Sequence, residues 1–307
     1  MRLYLVVCLC TTLLVTSILI SKDTLTAPYH QPLQCKLNDS TLNTVLGHRC
    51  YPTTASFDGV NDVRCTRQVI DNVFRKEEIT ALNDIARKGM DTRTKANGPT
   101  ILDINTGFIR DSNGMDNLFS SARTEKLYSA DEFKTYSNII TKLKTLVMKS
   151  FNIDEGNLYF TAPTFITRLV GSHEWQPQGI HDEYWHVHVD RNNTPHYHYS
   201  GLLYLSDYEK DFTGGRLLFY DADAKISVDP QTYISSYEED AIQEIVEPRM
   251  GRVVTFSSGP ENPHKVEKVL SGERAVLAFW FTCSQDREFE IYLDGSSHDT
   301  FKRRKQK

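Results

Sequence analysis

The sequence predicts an α+β, mainly β protein: an antiparallel jelly-roll core with helices packed on one face. Two observations carry this expectation. From about residue 158 the apolar pattern repeats every second residue, in short runs broken by Gly, Pro, Asp and Ser, whereas before it the apolar period is helical. Strands that follow helices, rather than alternating with them, point to an antiparallel core on a helical layer.

Taken in order, the chain of 307 residues opens on "MRLYLVVCLCTTLLVTSILI", in which Arg2 is followed by 18 uncharged, mostly apolar residues. That length sits at the lower edge of a membrane span, so residues 1–21 are expected to be a signal-anchor; the alternative is a secretory signal peptide removed after Ser17. Either delivers the rest to the lumen of the secretory pathway (endoplasmic reticulum or Golgi), as a single-pass type II membrane protein or as a secreted one. Residues 22–66 are polar, lack periodicity and read as a Cys-containing stalk. Cys35, Cys50, Cys65 and Cys283 allow two disulfides in three connectivities, and reduced cysteines stay open as well. Asn38 heads a glycosylation sequon.

The next unit is expected over 67–286, with helical support at 67–157 and the jelly-roll core at 158–286. A short strand at Val69–Phe74 precedes a helix with Ile79, Leu82, Ile85 and Ala86 on one face and Gly89 as its stop. Ser129 and Glu132 form a capping box ahead of a second helix, whose Tyr136, Ile139, Ile140, Leu143, Leu146 and Val147 recur at helical spacing. The strands then follow as "LYFTAPTFITRLV", "YSGLLYLSD", "GGRLLFYD", "GRVVTFSS", "HKVEKV" and "RAVLAFWFT". An acidic insertion at 226–246 is a lid, a partner surface or a loop, and 287–307 is a basic, solvated tail. A net charge of −5 excludes a general attraction to nucleic acid.

The segment "HDEYWHVHVDRNNTPHYHYSGLLYLSDY" holds half of the ten histidines. Metal ligands on a strand must project the same way, which residues two apart do. His188 and Asp190 lie in an alternating stretch, whereas His181 follows the turn-like Gln176–Gly179. His264, ahead of "HKVEKV", supplies a third ligand from a distant strand. Two imidazoles and a carboxylate make the facial triad of non-haem iron(II) oxygenases, although three such ligands also suit catalytic zinc. Arg274, ten residues past His264, decides between them, because the far carboxylate of 2-oxoglutarate needs a fixed bidentate cation. His186 is a candidate for orienting the site; Tyr184 and Trp185 form an apolar wall or core.

His188-x-Asp190, then "GGRLLF", then "GRVVTFSSGPENPHKVEKVLSGERAVLAFWFT" resembles the prolyl 4-hydroxylase branch of the iron and 2-oxoglutarate-dependent dioxygenases. The resemblance covers roughly residues 67–286. It implies a double-stranded β-helix (jelly roll), catalysis at a metal held by His188, Asp190 and His264, and 2-oxoglutarate bound by Arg274. It also implies Fe(II) as cofactor, 2-oxoglutarate and O2 as co-substrates, L-ascorbate to rescue oxidised iron, and a protein or peptide substrate, prolyl among the choices. Tyr204 falls where relatives place a tyrosine on the 2-oxoglutarate carboxylate. Collagen-type members usually have Lys where this chain has Arg274, which leaves the co-substrate site intact and weakens collagen as the substrate. The rival readings are a catalytically silent jelly-roll binding module and a zinc-dependent hydrolase, neither of which has a use for Arg274.

Overall fold

The strand Val269–Thr282 is the axis of the fold, because its alternating side chains divide the molecule into a packed side and an open side. Ala275, Leu277, Phe279 and Phe281 join the large core under the helices, while Arg274, Val276, Ala278 and Trp280 turn the other way, into the cleft. The computed structural model describes residues 33–34, 66–93, 98–120, 126–172, 174–175, 185–221, 226–228, 235–237 and 241–304. The apolar segment 1–21, Cys35, Cys50, Cys65, Asn38, His173, His181 and Tyr184 lie outside them.

An antiparallel sheet carries the axis. Its order runs Leu33–Gln34, Thr66–Ile70, Val253–Ser257, Tyr199–Tyr204, Val269–Thr282, Phe165–Val170, Gly98–Leu102, Phe108–Asp111, Gly114–Asn117. A smaller sheet, Ile242–Val246, Leu217–Tyr220 and His264–Val266, faces part of it. Between the two lie Val69, Tyr204, Leu217, Phe219, Val246, Val254, Phe256 and Val276, a dry filling expected where two sheets stack. The jelly-roll expectation therefore holds.

Both expected helices form. Lys76–Met90 buries Ile79, Leu82, Ile85 and Ala86, and Ala130–Ser150 buries Tyr136, Ile139, Ile140, Leu143 and Val147, with Leu146 partly buried beside them. The Ser129 hydroxyl accepts from the Glu132 N–H, and the Glu132 carboxylate accepts from the Ser129 N–H. Gly89 does not stop its helix, which runs on to Met90; it is where the helix touches its neighbours most closely. A Cβ there would lie 2.3 Å from the Tyr128 hydroxyl and 2.7 Å from Leu102.

Four other expectations change. The stretch 67–157 is not only helical: Gly98–Leu102, Phe108–Asp111 and Gly114–Asn117 extend the main sheet through pairing with Phe165–Val170. These strands are short and built around Gly, Asp and Asn, so they carry too little alternation to read. The stalk contributes an edge, since Leu33–Gln34 pairs with Thr66–Arg67. The insertion 226–246 ends in Ile242–Val246, which pairs with Leu217–Tyr220, and its described front part forms a hairpin of Ile226–Val228 with Ser235–Tyr237. Most of all, the unit does not end at 286. Tyr292 and Phe301 enter the large core, the helix Ser297–Arg304 follows, and His298, 1% exposed, lies 4.1 Å from the Phe119 ring. The expected solvated tail is thus a clasp across the helical layer, hidden in the sequence because its two apolar anchors are nine residues apart. Cys283 is disulfide-bonded. Among the described residues no helix is long and apolar enough to cross a membrane.

Candidate active site

His188 and His264 meet as a single antiparallel rung. The His188 N–H donates to the His264 carbonyl and the His264 N–H to the His188 carbonyl, each at 2.9 Å, which turns both side chains to one face with ring centroids 4.5 Å apart. The alternation expected through Asp190 stops there. Val189 caps a helical turn, Asp190–Asn193, secured by the Arg191 N–H donating to the Ser258 carbonyl. The bend swings the Asp190 carboxylate back under the two imidazoles. Its Oδ1 lies 3.4 Å from His188 Nε2 and 3.9 Å from His264 Nε2.

The remaining atoms of these groups are committed elsewhere. Nδ1 of His188 donates to the His186 carbonyl (3.2 Å) and Nδ1 of His264 to the Asn262 carbonyl (2.9 Å), the tautomer that leaves each Nε2 a lone pair. Asp190 Oδ2 accepts from the Ser200 hydroxyl (2.5 Å) and from Trp280 Nε1–H (3.0 Å), which directs Oδ1 at the imidazoles. Burial raises the Asp190 carboxyl, yet the His264 and His188 imidazoles and the Ser200 hydroxyl outweigh it and hold it well below the usual carboxylate range. Burial, then His188, pushes His264 down to about 4. At neutral pH His264 is therefore a neutral nitrogen donor and Asp190 an anionic oxygen donor; with His188 they lie within 4.8 Å of one another, and two imidazoles with one carboxylate are a donor set that a divalent transition metal takes.

Arg274 lies on the strand of Trp280 at a spacing that puts both on one face, and Tyr204 lies on the neighbouring strand. Arg274 is 2% exposed, its Nε donates to the Gly215 carbonyl (2.9 Å), and its guanidinium carbon lies 5.5 Å from the centre of the Tyr204 ring. Gly214 and Gly215 both have positive φ, 71° and 69°, and a Cβ on Gly215 would come 2.8 Å from the arginine's Cδ. The glycine pair thus lets the chain turn tightly against Arg274. Contrary to the sequence expectation, Arg274 does not begin its strand but lies within it. Burial raises the Tyr204 hydroxyl's pKa while Arg274 opposes this, so the phenol stays protonated and able to donate.

The structure brings His188, Asp190 and His264 together and sets Arg274 beside Tyr204. It gives other histidines other tasks. His186 serves through its carbonyl, His196 packs edge-on to Tyr197, and the buried His198 accepts the Cys283 N–H at 2.9 Å. Trp185 packs on Trp175 at 6.0 Å, with the Lys268 ammonium 5.1 Å above its ring. Sequence reasoning missed Ser200 and Trp280. Trp280 was within reach, since it lies six residues from Arg274 on an alternating strand and must share its face. Ser200 carries no comparable signal.

The model of the family described as "2OG-Fe(II) oxygenase superfamily" matches residues 175–282. The "2-oxoglutarate and iron-dependent oxygenase domain-containing protein 3" of Rattus norvegicus is 35% identical over 246 residues, 80% of this chain and 70% of that protein. The Homo sapiens protein of the same name is 32% identical over 242 residues, 78% and 69% of the two chains. "Prolyl 3-hydroxylase 2" of Rattus norvegicus is 39% identical over 84 residues, 27% of this chain and 9% of that protein.

Proposed function

We propose, from the premise that the chain belongs to the 2OG-Fe(II) oxygenase superfamily, that His188, Asp190 and His264 hold its iron(II) and that Arg274 and Tyr204 hold the far carboxylate of 2-oxoglutarate. The chain is an oxidoreductase, a dioxygenase that uses Fe(II), 2-oxoglutarate and O2 to hydroxylate a C–H bond. Iron bound at this site, with its co-substrates, supplies the oxidising power, so that 2-oxoglutarate leaves as succinate and CO2 while C–H becomes C–OH. The observation that carries the residue roles is the aim of the donors: Nε2, Nε2 and Oδ1 face one another while every opposite atom is tied back.

The protein's own part is positional. The backbone rung sets the imidazole pair, Ser200 and Trp280 set the carboxylate, and the partly exposed His188 leaves the cluster accessible from one side. Arg274 offers a rigid fork and Tyr204 a hydroxyl for one carboxylate. The rat relative's name, prolyl 3-hydroxylase, supports a peptidyl substrate with proline as the residue to try first. Ascorbate belongs to the same proposal, as the reductant that returns oxidised iron to Fe(II). So does a luminal setting behind an N-terminal anchor, supported by the apolar run at 3–20 and the disulfide at Cys283.

The test is anaerobic addition of iron(II) and 2-oxoglutarate to the luminal part, then O2, with succinate measured in the presence of proline-containing peptides. Succinate formation lost in His188→Ala is the expected result. Arg274→Ala should raise the KM for 2-oxoglutarate and be partly restored by excess co-substrate. No succinate under any of these conditions, and no bound iron, would overturn the assignment.

A further inference from the structure

A second cavity, of about 280 Å³, lies beside the cleft. Its walls are aromatic: Phe108, Phe165, Tyr292 and Phe301, with Phe301 edge-on to both Phe108 (5.9 Å) and Tyr292 (5.8 Å). Two carboxylates also line it, Asp103 and Glu290, and among the described side chains no Lys or Arg does. Asp103 is 2% exposed and has no ion pair among the described residues. It accepts hydrogen bonds from the Asn105 N–H (2.9 Å) and the Thr106 hydroxyl, which shape the turn at 103–107, but these are neutral donors. A buried carboxylate without a counter-charge is costly, and such groups are ordinarily paired. Burial accordingly raises the Asp103 carboxyl to about 6.

An apolar-walled space whose described charged groups are all anionic complements an apolar stem carrying a cationic head. Aromatic faces accept both the methylenes and the charge. The volume is just under the roughly 300–1,000 Å³ of small-molecule pockets and suits a single long side chain. Its position says which. Phe165 packs edge-on to Trp280 at 5.8 Å, and Trp280 donates to Asp190, so one wall of the cavity borders the reaction cleft. Only the Trp280 indole, 3.0 Å from Asp190 on one side and 5.8 Å from the Phe165 ring on the other, separates the two, a gap that a few residues of extended chain cross at ~3.3 Å each.

We propose that this cavity is a substrate subsite that takes a lysine or arginine side chain lying two to four residues from the residue that is hydroxylated, with Asp103 and Glu290 as its anionic partners. That the cationic side chain belongs to the substrate rests on the peptide-hydroxylase reading above; that the cavity selects a cation does not.

The test uses the full chain and labelled dodecapeptides of Ala and Gly with one central proline. Lysine, or norleucine in its place, stands at two, three or four residues to either side, and binding is read by fluorescence anisotropy. The best lysine peptide is expected to bind at least tenfold more tightly than its norleucine counterpart. Asp103→Asn should bring that ratio below threefold. Phe108→Arg, at a position 43% exposed and therefore tolerant of change, should place a cation at the mouth and weaken the lysine peptide by a similar factor. Equal or undetectable binding of both peptides, or a lysine preference that survives both variants, overturns the proposal. So does a preference that emerges only after residues 305–307 are removed, because the cavity would then belong to the chain's own basic end. Succinate release without peptide, measured on the same samples, keeps the two readings apart. No succinate with or without peptide and no bound iron, alongside an intact lysine preference, sinks the hydroxylase assignment alone, and succinate release without the preference sinks the subsite alone.

Discussion

Asp190 depends on two donors that contact no metal. Trp280→Phe keeps the ring between Tyr197 and Phe165 while removing the N–H that holds Oδ2. Loss of such an outer partner weakens metal binding by about 10–100-fold. Anaerobic iron(II) titration should show a loss of that order with an unchanged far-UV spectrum; unaltered affinity would mean that Ser200 suffices. Two buried groups, His264 and Asp103, contribute to the acid response of the metal-free protein with opposite signs. His264 has its folded pKa depressed from 6.5 to about 4, so the unfolded chain binds its proton first and stability falls as pH drops from about 6.5 to 4. Asp103 has its folded pKa raised from 3.8 to about 6, so the folded chain holds that proton and stability falls as pH rises over nearly the same window. The two partly cancel. Asp103→Asn should therefore raise stability at pH 7, by on the order of 1–3 kcal/mol, and steepen the loss between pH 6.5 and 4 in urea titrations. A flatter profile would contradict this. At this scale the triad and Arg274 were legible because each is a chemically distinctive residue at a telling spacing. Ser200 and Asp103 were not, because their roles arise only when strands distant in sequence are paired.

Among the elements, the helices were the most readable, since Ser129 with Glu132 and the repeat from Tyr136 to Val147 are local signals that packing then reinforced. The meander 98–117 was not, because its pairing partner, Phe165–Val170, lies some fifty residues on and its own side chains scarcely alternate. The asymmetry extends to Gly89, which reads locally as a helix stop but is required by tertiary contact. Alanine is the better helix former by about 1 kcal/mol, but its methyl would strike Tyr128 and Leu102, both almost fully buried. Overpacking of this kind costs about 1–3 kcal/mol. Gly89→Ala should thus destabilise on balance, seen as a lower urea midpoint with unchanged slope; a higher midpoint would show that propensity wins.

For the molecule as a whole, the clasp formed by residues 287–301 decides where the folding unit ends. It adds Tyr292 and Phe301 to the large core and buries Ser297 and His298 completely, so a chain ending at 286 would expose the surface that Phe119, Phe133 and Tyr128 now share with His298. Full burial of one large side chain contributes about 1.5–3 kcal/mol, and two are lost with the segment. Truncation at 286 should lower Tm by ten degrees or more relative to truncation at 304, or give insoluble protein. Equal melting curves would show that the core closes without the clasp. The sequence concealed this boundary because composition at 287–307 is basic and polar, whereas the contacts rest on two aromatic residues and one histidine.

The rung that joins residues 188 and 264 is built from main-chain atoms only, so deleting either imidazole leaves the rung standing with a gap in front of it. Such a gap can be refilled from solution. The side chain of His188 keeps 25% of its surface open, against 7% for His264. Free imidazole at millimolar concentration should therefore restore part of the turnover lost in His188→Ala and little of that lost in His264→Ala. In that sense the chain is a scaffold for one exchangeable donor and one sealed one, and the exchangeable position is the place to introduce a foreign ligand and retune the metal.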